Sequence, residues 1–173
     1  MAGPPRALMA VTTDILRTWR NPRRVMRDML DDGPREDRAL GYLAVFCLLV
    51  FVAQWPRLAR QAAGFDVAPG AEVRDLFQTM TYEVFAWFMV WPLLLYGLAG
   101  ISHLVAKLFR GRGTFFGARL ALFWSLLASV PLLLIYGLMA GFLGPVAGTH
   151  LTGGLWVGVF GYLWLQSLRE AES

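Results

Sequence analysis

No aspartate, glutamate, lysine or arginine occurs from Ala39 to Pro56, from Val84 to Ala106, or from Leu120 to Leu168. These stretches take up 90 of the chain's 173 residues. A water-soluble globule is excluded, because it could not keep so much apolar surface from solvent. Cysteine occurs once, as Cys47, which rules out an intrachain disulfide framework and a CxxC redox motif and leaves a small apolar residue facing a neighbouring helix. No HExxH, GxSxG or Walker loop is present, and the uncharged stretches hold no carboxylate. Intramembrane proteolysis by paired aspartates, metal hydrolysis and ATP-driven transport therefore lack their residues. Histidine occurs only at His103 and His150, which fall near opposite ends of the expected bundle, so a shared haem is excluded. His103 reads as a helix-helix hydrogen bond or an interfacial residue. The sequence thus implies no enzyme, no cofactor and no metal.

What the chain does contain is apolar length. Hydrophobic residues make up 57% and charged residues 16%, with a mean hydropathy of +0.50, against roughly 25% charged in ordinary soluble domains. The expected fold is all-α: a polytopic membrane bundle of about four transmembrane helices preceded by an N-terminal cytoplasmic amphipathic helix. The spans fall at about 39–55, 76–106, 120–144 and 151–168, after an N-terminal segment of residues 1–38 and before a tail of 169–173. Pro56 closes the first span, and residues 57–75, with Gly64, Pro69 and Gly70, read as a loop with a short helical lead-in. The formal charge of +4 does not indicate nucleic acid, because the basic residues flank apolar spans. Thirteen Lys and Arg lie in the N-terminal segment, the 107–119 loop and the tail, against three between spans one and two. This asymmetry puts both termini in the cytoplasm.

Within the N-terminal segment, Asn21-Pro22 is a helix restart, a capping side chain followed by the residue suited to the first helical position. From there Val25, Met26, Met29 and Leu30 share one arc, and Arg23, Arg24 and Arg27 lie on the other side. Such a helix suits an anionic lipid surface, the ends of the chain's own bundle, or a groove on a partner. Pro92 and Pro131 lie inside spans two and three and should bend them, freeing the carbonyls of Phe88 and Leu127 for a neighbour, a water, or a hydroxyl such as Ser125 or Ser129. Glu83 is the one acidic residue near membrane depth. It reads as an interfacial ion pair with Arg57 and Arg60, or as part of an ion pathway. Gly137 and Gly141, and Gly154 and Gly158, are two GxxxG pairs expected to close spans three and four on each other.

Several segments together resemble bacterial members of the Yip family: Asn21 to Leu30, Arg38-Ala39-Leu40, Gln54-Trp55-Pro56, and Gly111 to Trp124 leading to Pro131. The family is named for Ypt-interacting proteins, which in eukaryotes associate with Rab-type GTPases and act in membrane traffic. The resemblance implies a small multi-pass helical protein with a cytoplasmic N-terminal segment and no established catalysis. The family usually has five spans rather than four, and the eukaryotic Asp-Leu-Tyr-Gly-Pro motif is absent here; Rab binding is not carried over, since a bacterial cell would lack that partner. The functional expectation is a non-enzymatic scaffold or accessory protein of the bacterial inner membrane, associated with the lipid bilayer and with an unidentified membrane or cytoplasmic protein partner, and open to homo-oligomerisation. The alternative is a small transporter or channel built on Glu83 and the proline-bent spans.

Overall fold

The computed structural model of the chain describes residues 5–65, 75–109 and 111–173. Its elements among these residues are α1 (Pro5–Arg20), α2 (Pro22–Asp31), α3 (Glu36–Ala62), α4 (Leu76–Phe85), a π-helical turn (Ala86–Val90), α5 (Trp91–Leu108), α6 (Phe115–Phe142) and α7 (Ala147–Ala171), with no strand. The rest of the loop expected between spans one and two, residues 66–74 with Pro69 and Gly70, lies outside the described residues.

Local chemistry sets most of the boundaries. Asn21 separates α1 from α2, and Pro22 occupies the first turn of α2, where its missing N–H leaves no bond unmade. Asp75 caps α4 by accepting from the Phe77 amide at 3.1 Å, and Thr114 caps α6 by accepting from the Gly117 amide at 3.1 Å. The α6–α7 turn passes through Gly144 at φ +75°, a left-handed conformation that glycine adopts without steric cost.

Among the described residues, three helical stretches are long and apolar enough to cross a membrane: Glu36–Ala62, Leu76–Leu108 and Phe115–Phe142. The protein is therefore a multi-pass helical membrane protein. Pro56 does not close the first of them, as its sequence suggests, but lies inside α3. An interior proline removes one backbone bond and crowds the preceding turn. Here the helix runs on through it to Ala62, and Pro56 packs onto Gly141, which presents no side chain. Pro92 follows the π-helical turn, where the Trp91 amide donates to the Ala86 carbonyl five residues back. That widened turn lies where the proline ring would otherwise meet the preceding backbone.

α6 is the hub of the bundle. Every residue from Leu120 to Val130 is buried, so this half of the helix is apolar all round rather than striped. α3 lies parallel to it and contributes Leu43, Phe46, Cys47 and Val50, the i, i+3, i+4, i+7 spacing of one helical face. The register is fixed at both ends. Arg119 pairs with Glu36, the Tyr42 and Trp124 rings are 4.9 Å apart, and Gly137 and Gly141 lie against Ala53 and Pro56. We call the end bearing Glu36, Arg119 and the C-terminus proximal, and the end bearing the α6–α7 turn distal.

Candidate functional site

The N-terminal helices form a hairpin on the proximal half of the bundle. Trp124 Nε1 donates to Thr18 Oγ1 at 3.0 Å, and Trp19 Nε1 donates to the Ala128 carbonyl at 2.9 Å. Ala128 is nine residues beyond Arg119, so α1 reaches about 13 Å past the last charged side chain of α6. This places Trp19 one turn from Pro131, next to the Leu127 carbonyl that the proline frees. The neighbouring hydroxyls are used otherwise: Ser129 donates to the Leu126 carbonyl at 2.9 Å, and Ser125 to Ser167 at 3.4 Å.

The apolar face of α2 is not available to lipid or to a partner, which corrects two of the three readings its sequence allows. Val25, Met26 and Met29 are buried, Met26 completely, in the same core as α6 and α7; Leu30 packs partly against it. Two of its arginines complete the clamp. Arg23 Nε donates to Gln166 Oε1 at 2.8 Å, and Arg27 engages Glu170 Oε1 through Nε at 2.7 Å and Nη2 at 2.6 Å. An amphipathic period says that a face is covered but not by what. Here the chain's own proximal surface covers it.

What remains outside is a basic edge with apolar neighbours. Arg17, Arg20 and Arg24 surround a small cavity with Asn21 and Val25, while Leu16 and Trp19 are 72% and 41% exposed. Arg17 is shared with Asp14 at 3.2 Å and Asp28 at 3.5 Å. Arg20 was absent from the sequence-derived site because it precedes the α2 period; its place at the end of α1 brings it beside Arg24.

A second proximal feature escaped the sequence reading. His103 and Glu172 are both buried, with Nδ1 2.7 Å from Oε1. The other oxygen of Glu172 accepts from the Gly113 amide at 3.2 Å, and the Glu172 carbonyl accepts from the Arg112 amide at 2.9 Å. A Cβ at Gly113 would overlap the Ala171 carbonyl oxygen. The C-terminus is thus latched into the loop before α6, and His103 makes the inter-element hydrogen bond expected of it. The signal in the sequence was Gly111, Gly113 and Gly117, whose spacing leaves room for a close backbone approach.

At the distal end, Glu83 lies beside Arg57, one of the two arginines expected to pair with it. Its Oε1 is 3.6 Å from Arg57 Nη2, and its Oε2 accepts from Trp87 Nε1 at 3.1 Å. Arg60 is turned elsewhere, its guanidinium 5.0 Å above the Phe65 ring. Both GxxxG pairs were expected between spans three and four, and this is corrected. Gly137 and Gly141 face α3, where a Cβ would collide with the Ala53 carbonyl and with Pro56, whereas at Gly154 and Gly158 a Cβ would meet open space. The parallel α3–α6 pair is the one that approaches closely, and α7 turns Gly153 toward Tyr136 of α6 instead.

Among the described residues no three His, Cys, Asp or Glu side chains gather as a metal site. Neither a curated relative nor a solved structure matches the chain. The family model of the Yip1 domain matches residues 16–173, from the second half of α1 through the latched C-terminus, and on this the chain belongs to the Yip1 domain family.

Proposed function

We propose that the protein is a non-enzymatic scaffold or accessory protein of the bacterial inner membrane, acting through the exposed edge of its N-terminal hairpin. The observation that carries this reading is the division of labour in the hairpin. Val25, Met26 and Met29, with Arg23 and Arg27, fasten it to the bundle, while Arg17, Arg20 and Arg24 face outward beside exposed Leu16 and Trp19. A basic edge with adjacent apolar side chains, held at the level of the bundle's proximal half, suits the anionic headgroup layer and proteins that sit in it.

The basic-residue asymmetry of thirteen against three supports cytoplasmic termini. α7 would be a fourth span. Its 25 residues extend about 37 Å, and its glycines and Gln166 make it less apolar than the other three. The transport reading has weaker support, because Glu83, its one candidate, is engaged by Arg57 and Trp87. Crosslinking from native membranes tests the scaffold reading. The triple variant Arg17→Gln, Arg20→Gln, Arg24→Gln should insert normally yet lose its crosslinked partners and reproduce the deletion phenotype. Retention of both partners and phenotype, together with ion flux in proteoliposomes abolished by Glu83→Gln, would overturn it in favour of transport.

A further inference from the structure

The distal ends of α3, α6 and α7 line a half-open cavity of about 270 Å³. Arg57 and Gln61 enter it from α3, Tyr136 from α6, and Thr149 and His150 from the first turn of α7. Thr149 is spoken for: its hydroxyl donates to the Gly144 carbonyl at 2.8 Å and fixes the turn that roofs the cavity. The other polar groups are not. Arg57 Nε is buried without any hydrogen-bond acceptor, and the approach of its Nη2 to Glu83, at 3.6 Å, is longer than a hydrogen bond. Gln61, Tyr136 and His150 make no side-chain hydrogen bond among the described residues.

A buried guanidinium N–H without an acceptor is costly, and groups of this kind are met by something in nearly every native structure. The donors gathered here define what would meet it. An arginine N–H, a phenol, a carboxamide and an imidazole can each donate to an oxyanion, and none of them is a carboxylate. Depth agrees: Arg57 is the first charged residue after the uncharged stretch ending at Pro56, the level at which the headgroup layer begins. The Tyr136 ring is seated against α7 at Gly153, where a Cβ would lie 3.1 Å from Tyr136 Cε2.

We propose that this cavity is an oxyanion-binding site in which Arg57 Nε and the Tyr136 hydroxyl donate to a phosphate or carboxylate oxygen, with Gln61 and His150 at its rim. The oxyanion comes either from a lipid headgroup of that leaflet or from a free solute. The site is independent of the N-terminal hairpin and of the scaffold reading.

Two arms on the purified full chain separate the sources. In the first, native mass spectrometry counts phosphatidylglycerol retained from a mixture with phosphatidylcholine. In the second, the melting temperature in zwitterionic detergent is followed against sodium phosphate and sodium acetate, with chloride matched for ionic strength. Selective retention of phosphatidylglycerol assigns the headgroup, and an upward shift with phosphate or acetate beyond that with chloride assigns the free anion. In whichever arm responds, Arg57→Gln and Tyr136→Phe should each weaken the effect about tenfold or more. Because Arg57→Gln also breaks the Glu83 pair, Glu83→Gln provides the opposite test. It removes the competing carboxylate and should strengthen binding several-fold, which damage to the fold would not do. No response in either arm, a response unchanged by Tyr136→Phe, or one not strengthened by Glu83→Gln overturns the proposal.

Discussion

The two GxxxG pairs offer a test in which identical sequence motifs must behave in opposite ways. At Gly137 an added Cβ falls on the Ala53 carbonyl oxygen, with the Ala53 carbonyl carbon and Cβ both at 3.0 Å; at Gly141 it falls on Pro56 Cβ, with Pro56 backbone carbons at 2.8 and 2.9 Å. Backbone atoms cannot swing aside as a flexible side chain can, so α3 and α6 must part. Overpacking of this kind costs about 1–3 kcal/mol, partly offset by the roughly 1 kcal/mol by which alanine favours a helix over glycine. Gly137→Ala and Gly141→Ala should therefore be destabilising by up to about 2 kcal/mol, and the leucine variants by more. Gly154 and Gly158 have nothing within 4 Å of an added Cβ, so only helix propensity acts and their alanine variants should be neutral or stabilising by up to about 1 kcal/mol. Reversible unfolding of the purified chain in mixed micelles, driven by increasing SDS and followed by tryptophan fluorescence, reads these differences directly. Tolerance of leucine at Gly137, or a loss at Gly154 equal to that at Gly137, would refute the α3–α6 assignment.

Three further outcomes follow from the packing. Glu172→Gln removes the buried carboxylate that His103 Nδ1 and the Gly113 amide contact and should be destabilising by about 1–3 kcal/mol, the range for a hydrogen bond to a charged group; Gly113→Ala, which pushes on the Ala171 carbonyl, should be destabilising too, both measured by the same unfolding assay. Met26→Glu places a charge where the native side chain is fully buried and should lower stability by several kcal/mol, whereas Arg24→Gln on the exposed edge should change it by no more than about 0.5 kcal/mol, so thermal melts of the two variants should separate widely. Cys47 is 1% exposed, and its thiol should react with a membrane-permeant maleimide only after denaturation; rapid labelling of the native protein, scored by mass shift, would contradict its place between α3 and the core.

The bend at Asn21-Pro22, the three long apolar helices, the amphipathic period of α2 and the Glu83–Arg57 pair were legible because each rests on local information. A capping residue, a proline, a run without charge and a lone carboxylate at a span's end act within a turn or two of where they stand. Pro56 reads as a stop for the same reason, yet α3 continues through it and sets it against Gly141, eighty-five residues away, a contact no local signal displays.

Taken alone, the sequence determined that the chain is helical, where its apolar lengths lie, and which residues share a helical face. It did so because hydrophobic period and charge-free length are properties of a single helix in its solvent. Which faces meet was decided only by tertiary structure. Gly137 and Gly154 have the same motif, yet one is pressed on Ala53 and the other is open; Met26 could have faced lipid, a partner or the bundle, and it is buried beneath α2 against the chain's own core; His103 found its acceptor in Glu172, almost at the last residue. Lipid tails are as apolar as leucine, so the hydrophobic effect that drives helices into a membrane does not choose their partners. That choice is made by close backbone approach and by hydrogen bonds between distant residues, and neither has a period that a sequence can display.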